Sequence, residues 1–320
     1  MKTIVLGPPG TGKTTTLLNK VDDYLKQTDP DKVGYFAFTQ KAAYEARDRA
    51  VKKFNLTEDD LPYFRTLHSL AFRRLGIKKE EVMQRRHYED LGKKMGLIVD
   101  YHEYDNEHTG LFTTKSDLLR IVQIAKLRGI TPEQQYNLKE HTQDITVHQL
   151  KQFVHDLDQY KKDYNLIDFT DMITEFIKAD RSPRFDVVFI DEAQDLSVVQ
   201  WQLAGLIEKH SGILHVAGDD DQCIFGWRGA DVKSFLNLKG TREVLKKSWR
   251  VPREVFDVAQ KIIRRIPKNN RVQKEWEPKK ERGSVTEHYD ISELQSKLKT
   301  GKWLILGRDR WRLNEFEEFL

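Results

Sequence analysis

Thr3 to Thr16 reads TIVLGPPGTGKTTT, and within it Gly7 to Thr14 spells G-x-x-x-x-G-K-T. The apolar stretch Thr3–Leu6 precedes the loop, and a helical pattern runs after it from Thr14 to Leu25. Strand, glycine-rich loop and helix in that order predict a phosphate-binding loop in an α/β domain. Gly7, Gly10 and Gly12 permit backbone angles that turn successive N–H groups toward one anion. The N-terminus of the following helix adds a partial positive charge. Lys13 is long enough to reach β- and γ-phosphates, and the Thr14 hydroxyl suits a Mg2+ ligand. Pro8, Thr11 and Thr15 complete the residues expected around a nucleotide.

A second stretch answers the first. Asp186–Ile190 is a buried-strand run that ends in Asp191-Glu192-Ala193-Gln194-Asp195. Two adjacent carboxylates at a strand's carboxyl end fit nucleotide hydrolysis. The first, Asp191, can hold Mg2+ through water; the second, Glu192, can accept a proton from the attacking water. A further strand, Ile213–Ala217, leads into GDDDQCIFGWRGAD, Gly218 to Asp231. Gln222 falls just past that strand, where an amide can sense a γ-phosphate. Trp227 and Arg228 offer a stacking face and a cation, flanked by Gly226 and Gly229 in a loop. Stacking on a base is worth about 1–3 kcal/mol and accepts any sequence.

Between these stretches, Val33–Phe38 has the continuous apolar character of a buried parallel strand. Thr39 and Gln40 stand at its carboxyl end, where open α/β sheets place ligand contacts. Phe64 to Ser69 reads FRTLHS. Residues 77–166 change character: they are rich in Lys, Glu, Gln and His, with helical apolar spacing at Leu118, Ile121, Val122 and Ala125. They predict a helical insertion. From Thr241 the pattern predicts a short strand at Val244-Leu245, a loop at Ser248-Trp249-Arg250, and a helix from Pro252. Strands at Ser284–His288 and Trp303–Leu306, a helix at Ser292–Leu298 and a final helix from about Arg310 follow.

The 320-residue chain carries a net charge of +4, unevenly spread. Thr241 to Arg282 holds fourteen Lys/Arg against six Asp/Glu, so the remainder is slightly acidic. A local basic segment suits a polyanionic partner. The single cysteine, Cys223, excludes a disulfide framework and suits a reducing, cytoplasmic setting. No apolar run approaches a membrane span, so no membrane partner is expected.

The ordered motifs resemble the UvrD/Rep-type superfamily 1 DNA helicases. GPPGTGKTTT resembles motif I of that family, FAFTQKAA from Phe36 motif Ia, and TLHSL from Thr66 motif Ib. LIDFTDMI from Leu166 resembles the stretch before motif II, DEAQD motif II, and GDDDQCIFGWRGA motif III. SWRVPREVFDVA from Ser248 resembles the motif that follows, and WLILGRD from Trp303 the next strand. The resemblance implies a RecA-like P-loop NTPase domain at 1–76 and 167–240, a helical insertion at 77–166, and a partial second RecA-like domain at 241–320. It implies ATP and Mg2+ as cofactors and single-stranded DNA as partner, with translocation 3′ to 5′. Lys13 would bind phosphate, Thr14 and Asp191 Mg2+, and Glu192 would be the base. Gln222 would link γ-phosphate to DNA, Arg250 would reach the γ-phosphate, and Trp249, where Tyr is usual, would stack on adenine. Phe38, Thr39, His68, Trp227 and Arg228 would contact DNA. Gln40 stands where Asn is usual. On this reading the family's upstream adenine-reading glutamine segment and motifs V and VI are not in the sequence. The expectation therefore includes a second polypeptide that supplies motifs V and VI. The alternative is an ATP-controlled DNA-binding fragment that does not unwind alone.

Overall fold

The computed structural model describes residues 1–103, 112–307, 313–314 and 316–317. Its centre is a six-stranded sheet with every neighbouring pair parallel. The strands are β1 (Lys2–Leu6), β2 (Val33–Phe36), β3 (Phe64–Arg65), β6 (Phe185–Ile190), β7 (Ser211–Gly218) and β8 (Thr241–Val244), in the order β3-β2-β6-β7-β1-β8. β4 (His102–Glu103) and β5 (Phe112–Thr113) form a separate antiparallel pair.

Period-two alternation along the inner strands supplies two cores. Ile4 and Leu6 of β1, Val188 and Ile190 of β6, and Val216 of β7 face one side. There they meet α3 (Leu67–Leu75), α8 (Phe169–Ala179) and α9 (Val198–Lys209) through Leu70, Ile173, Phe176 and Leu203. Val5, Tyr35, Val187 and Phe189 face the other side. They meet α1 (Lys13–Leu25) and α2 (Gln40–Phe54) through Leu17, Val21, Ala43 and Ala46. Helices on both faces of a parallel sheet make this the expected α/β, RecA-like architecture.

The insertion has its own core. α4 (Arg85–Met95), α5 (Asp117–Arg128) and α7 (Val147–Asp163) gather Tyr88, Leu91, Ile121, Val122, Leu150, Phe153 and Leu157, and Tyr136 of α6 (Pro132–Asn137) packs against them. Its two ends meet at a parallel bridge between Val82 and Ile167, where Met83 N donates to Ile167 O at 2.9 Å. Lys126 of α5 and Lys161 of α7 reach Asp168 and Asp171 at the start of α8, at 2.6–3.5 Å. Asp168 is buried and caps α8. These pairs fasten the insertion to the sheet domain.

The expected boundary between 240 and 241 cuts the sheet from its own edge. Thr241–Val244 pairs with Thr3–Leu6, so the chain leaves this sheet only after Val244. Beyond it come α10's successor α11 (Arg253–Ile263) and α12 (Gln295–Leu298), α10 being Val232–Leu236. Residues 284–288 and 303–306, expected as strands, are irregular. Val285, Leu304 and Leu306 are exposed there. A strand needs a neighbour to complete its backbone hydrogen bonds, and neither segment has one among the described residues. The expected helix from Arg310 falls mostly outside the described residues.

Candidate nucleotide and nucleic-acid site

The loop between β1 and α1 sits at the carboxyl end of the sheet. Gly7 N donates to Gly218 O of β7 at 3.1 Å, which fixes the start of the loop over the neighbouring strand. Gly12 has φ +85° and Gly10 φ +70°, the left-handed region in which glycine is at ease. A side chain on Gly7 would collide with the stem of Lys13, so that position too must stay bare. Thr11 closes the turn, its N–H and hydroxyl both donating to Pro8 O, at 3.2 and 2.7 Å. Lys13 is buried; its ammonium donates to Gly7 O at 3.0 Å and lies 3.9 Å from Glu192. Thr15 is exposed at the first turn of α1.

Thr14 and Asp191, 177 residues apart, are joined by a 2.7 Å hydrogen bond from the hydroxyl to Oδ2. The Tyr35 hydroxyl donates to the same oxygen at 2.9 Å. Burial, and then repulsion from Glu192, lift the Asp191 carboxyl above its ordinary range, against the pull of those two donors. Such a carboxylate gains from a nearby cation. A Thr hydroxyl beside a buried Asp suits Mg2+, which takes few protein oxygens and completes its shell with phosphate and water. Among the described residues no group of three or more His, Cys, Asp or Glu forms a cage for a metal.

Glu192 has φ +52°, a conformation that costs a non-glycine residue on the order of 1 kcal/mol. Its N–H donates to Asp191 Oδ1 and its carboxylate accepts from Gln194 Nε2, each at 2.9 Å. The Gln194 amide also donates to Asp195 at 3.1 Å and accepts from Asp219 N at 3.0 Å. One side-chain amide thus ties the acidic turn to the end of β7. Burial, and then Glu192, push the Asp195 carboxyl up to about 7.

Past β7 the chain makes two short helical turns. Gln222 closes the first, and its amide donates to Asp219 Oδ2. Trp227 and Arg228 occupy the second, Gly226–Arg228. Trp227 is 62% exposed, with the Arg228 guanidinium 4.2 Å from its ring centroid. Arg228 itself is buried. Phe38 is buried in a stack on Phe225, with centroids 5.8 Å apart. Thr39 caps α2, accepting from Ala42 N at 3.2 Å. His68 is buried edge-on against Phe169 and lines a cavity of about 560 Å³ with Gln40, Arg73 and Gln84. Burial pulls its imidazole down to about 4. Of the five residues expected at DNA, Trp227 is the one with an open aromatic face.

Residues 248–250 return to the loop. Ser248 is buried and its hydroxyl donates to Pro9 O at 2.8 Å; Trp249 N donates to Gly10 O at 2.8 Å. A Cβ on Gly10 would lie 2.3 Å from Arg250 Cβ. Trp249 is 70% exposed, with the Lys247 ammonium 4.2 Å over its ring. Arg250 is exposed at the same edge. The structure therefore brings Lys13, Thr14, Asp191, Glu192, Trp249 and Arg250 around one loop, and sets Gln222, Trp227 and Arg228 on the adjoining strand end.

Sequence reasoning missed several members. Tyr35 had a signal, as the one residue with a polar tip inside Val33–Phe36. Gln194 and Ser248 had none beyond their motifs. Asp219, Asp220 and Asp221 take Lys274 as a shared partner, and Arg271 donates to Asp221 at 2.8 Å. Burial draws the Lys274 ammonium down, but Asp219 and Asp220 outweigh it and hold it above the ordinary lysine range. Part of the basic segment is thus neutralised inside the protein.

Residues 1–243 match the family model described as the UvrD/REP helicase N-terminal domain. The chain is 26% identical over 250 residues to an ATP-dependent DNA helicase Rep of Buchnera aphidicola (from Acyrthosiphon pisum), covering 74% of this chain and 38% of that protein. It is 24% identical over 279 residues to an ATP-dependent DNA helicase PcrA of Staphylococcus aureus, covering 82% of this chain and 38% of that protein. The chain thus spans about two fifths of the length of these relatives. VirB4 of Thermoanaerobacter pseudethanolicus covers 86% of this chain and 84% of its own at 13% identity and a TM-score of 0.29, too distant to bear on fold or function.

Proposed function

This chain belongs to the UvrD/REP helicase family, and on that premise we propose that it is an ATP-driven motor unit on single-stranded DNA. The observation that carries the reading is the convergence of Thr14, Asp191, Lys13 and Glu192 within 2.7–3.9 Å, with residues 248–250 docked on the same loop.

In this reading the loop N–H groups and Lys13 cradle the phosphates of ATP. Thr14 and Asp191 hold Mg2+, which when bound offsets phosphate charge. Glu192 is the general base: its carboxylate, steadied by Gln194, accepts the proton of the attacking water. Trp249 stacks on the adenine, and Arg250 completes the γ-phosphate pocket from the segment after the sheet. Gln222 stands between the nucleotide and the turn that carries Trp227 and Arg228. Loss of the γ-phosphate is then felt by the DNA-facing turn, and grip on the strand changes with nucleotide state. Trp227 stacks on bases and Arg228 supports it; Phe38, Thr39 and His68 lie further back along the same edge. Movement is 3′ to 5′, in a cytoplasmic setting.

The test is ATP turnover with and without a homopolymeric single strand, at fixed salt, for the wild type and Glu192→Gln. The reading expects strand-stimulated hydrolysis in the wild type, and nucleotide binding without turnover in the variant. Turnover indifferent to the strand would count against it. Unwinding of duplexes with 3′ or 5′ tails separates a motor that acts alone from a DNA-binding fragment that needs a further polypeptide.

A further inference from the structure

A buried ionic cluster lies behind the turn that carries Gln222, and its cations come from the chain beyond the sheet. Asp219 is fully buried, and so is the side chain of Lys274. The Lys274 ammonium donates to Asp219 Oδ1 and Asp220 Oδ1 and lies 3.0 Å from Asp221 Oδ2. Arg271 holds Asp221 through Nε at 2.8 Å, and Val272 N donates to Asp220 at 2.8 Å. Three carboxylates are therefore met by two cations, and Lys274 is the member that touches all three.

Beyond Lys274, the Asp219 carboxylate and N–H have three further partners, one of them the Asp221 N–H, which donates to Oδ1 at 3.3 Å. The Asp219 Oδ2 accepts from Gln222, and the Asp219 N–H donates to Gln194, whose other end holds Glu192. A continuous chain of contacts runs Lys274–Asp219–Gln222 on one branch and Lys274–Asp219–Gln194–Glu192 on the other. Among the described residues, the polar partners of the Lys274 ammonium are Asp219, Asp220 and Asp221, not the phosphate loop or the exposed Trp227. We propose that Lys274 is a positioning residue: it fixes the Asp219 carboxylate, which sets the Gln222 amide and so couples nucleotide state to the Gly226–Arg228 turn. The proposal rests on the functional reading above and assigns Lys274 no contact with substrate. With Oδ1 held by a buried cation, Asp219 has only Oδ2 to offer Gln222, so the amide has one orientation. Without the cation, Oδ1 keeps only the 3.3 Å donation from Asp221 N–H, so the carboxylate can turn and the amide is no longer fixed.

Lys274→Met tests this, beside Lys274→Arg, which keeps the cation. Removing one member of a buried ion group is strongly destabilising. The double variant Lys274→Met/Asp220→Asn therefore accompanies them, because it restores the cluster's net charge while leaving Asp219 without its lysine. Two readouts are taken on the folded full chain. The first is steady-state ATP hydrolysis with and without single-stranded DNA. In Lys274→Met and the double variant, strand-stimulated kcat falls at least tenfold while KM for ATP stays within threefold, and Lys274→Arg recovers most of the loss. The second is hydrogen exchange with and without a non-hydrolysable ATP analogue and Mg2+. In the wild type the analogue slows exchange at both 7–14 and 219–229; without the lysine it slows only 7–14. Protection of both segments in the double variant, or stimulation equal to wild type, overturns the proposal. Absence of protection at 7–14 in the wild type overturns the functional reading instead, so the two failures are distinct.

Discussion

Tyr35→Phe isolates a single oxygen in the proposed metal-binding corner. The Tyr35 ring lies between Phe64, at 5.6 Å, and Phe189, at 6.3 Å, both nearly parallel to it. Phenylalanine keeps that packing. What goes is the 2.9 Å donation to Asp191 Oδ2, a carboxylate that is 1% exposed. A hydrogen bond to a buried charged group is worth about 1.5–3 kcal/mol. Only Thr14 and the Glu192 N–H then remain to offset burial and the repulsion from Glu192. The pH dependence follows in sign. The Asp191 carboxyl already binds its proton more tightly in the folded protein than in the unfolded chain. Ionising it therefore costs stability as pH rises through its folded value. Losing a donor to the ionised form enlarges that cost. Urea denaturation of wild type and Tyr35→Phe at pH 7.5 and pH 4.5 is the assay. The variant loses about 1.5–3 kcal/mol at pH 7.5, and the gap narrows at pH 4.5, where the carboxyl is more protonated in both. An equal gap at both pH values, or none at pH 7.5, would refute the role given to the hydroxyl.

Trp227→Ala removes the exposed ring and weakens binding to single-stranded DNA by about 1–3 kcal/mol at fixed salt. Fluorescence anisotropy with a labelled oligonucleotide reads this, and unchanged affinity takes Trp227 off the DNA surface. Gly10→Ala places a Cβ 2.3 Å from Arg250 Cβ at φ +70°. It loosens the docked segment, so exchange of the Trp249 amide, which donates to Gly10 O, quickens at least about tenfold, the equivalent of roughly 1.4 kcal/mol. Unaltered exchange would mean that the loop and residues 248–250 do not depend on each other. Burial holds His68 and His215 neutral, each pulled from 6.5 to about 4. Their folded values lie below the unfolded one, so this stability is complete above pH 6.5 and is lost as pH falls through 4. It amounts to a few kcal/mol for each, at about 1.4 kcal/mol per pH unit. His215→Phe, which retains the stack on Phe189, flattens part of that decline in a urea series from pH 7 to 4.5; an unchanged slope counts against the assignment.

What the sequence disclosed and what it hid have physical reasons. The inner strands β1, β2 and β6 are buried on both faces, so Ile4–Leu6 and Val187–Ile190 read as continuous apolar runs. The loop was legible because glycines and Lys13 at fixed spacing serve one local purpose. β8 was misplaced because it is an edge. Thr241, Arg242 and Glu243 are exposed, and charge on an edge strand guards against further pairing while erasing the apolar signal. The expected strands at 284–288 and 303–306 show the reverse: strand-like composition without a neighbouring strand to pair with. Tertiary partnerships were invisible in principle. Nothing local to Lys274 reveals that its ammonium lies among Asp219, Asp220 and Asp221, and nothing in Ser248 reveals Pro9. The resemblance set Phe38 and His68 at DNA through their motifs, and no local pattern showed that each is buried against an aromatic neighbour, Phe225 and Phe169.

The central claim is that a triphosphate at Gly7–Thr14 changes the grip on unpaired DNA at the Trp227 turn. Its most direct measurement is the affinity of Glu192→Gln, which should hold ATP without consuming it, for a single-stranded oligonucleotide with and without ATP and Mg2+ at one salt concentration. Coupling between two such sites corresponds to about a 5- to 150-fold change in affinity, and a shift in that range is the predicted result. Identical affinities in the two conditions, with the nucleotide demonstrably bound, would contradict the account.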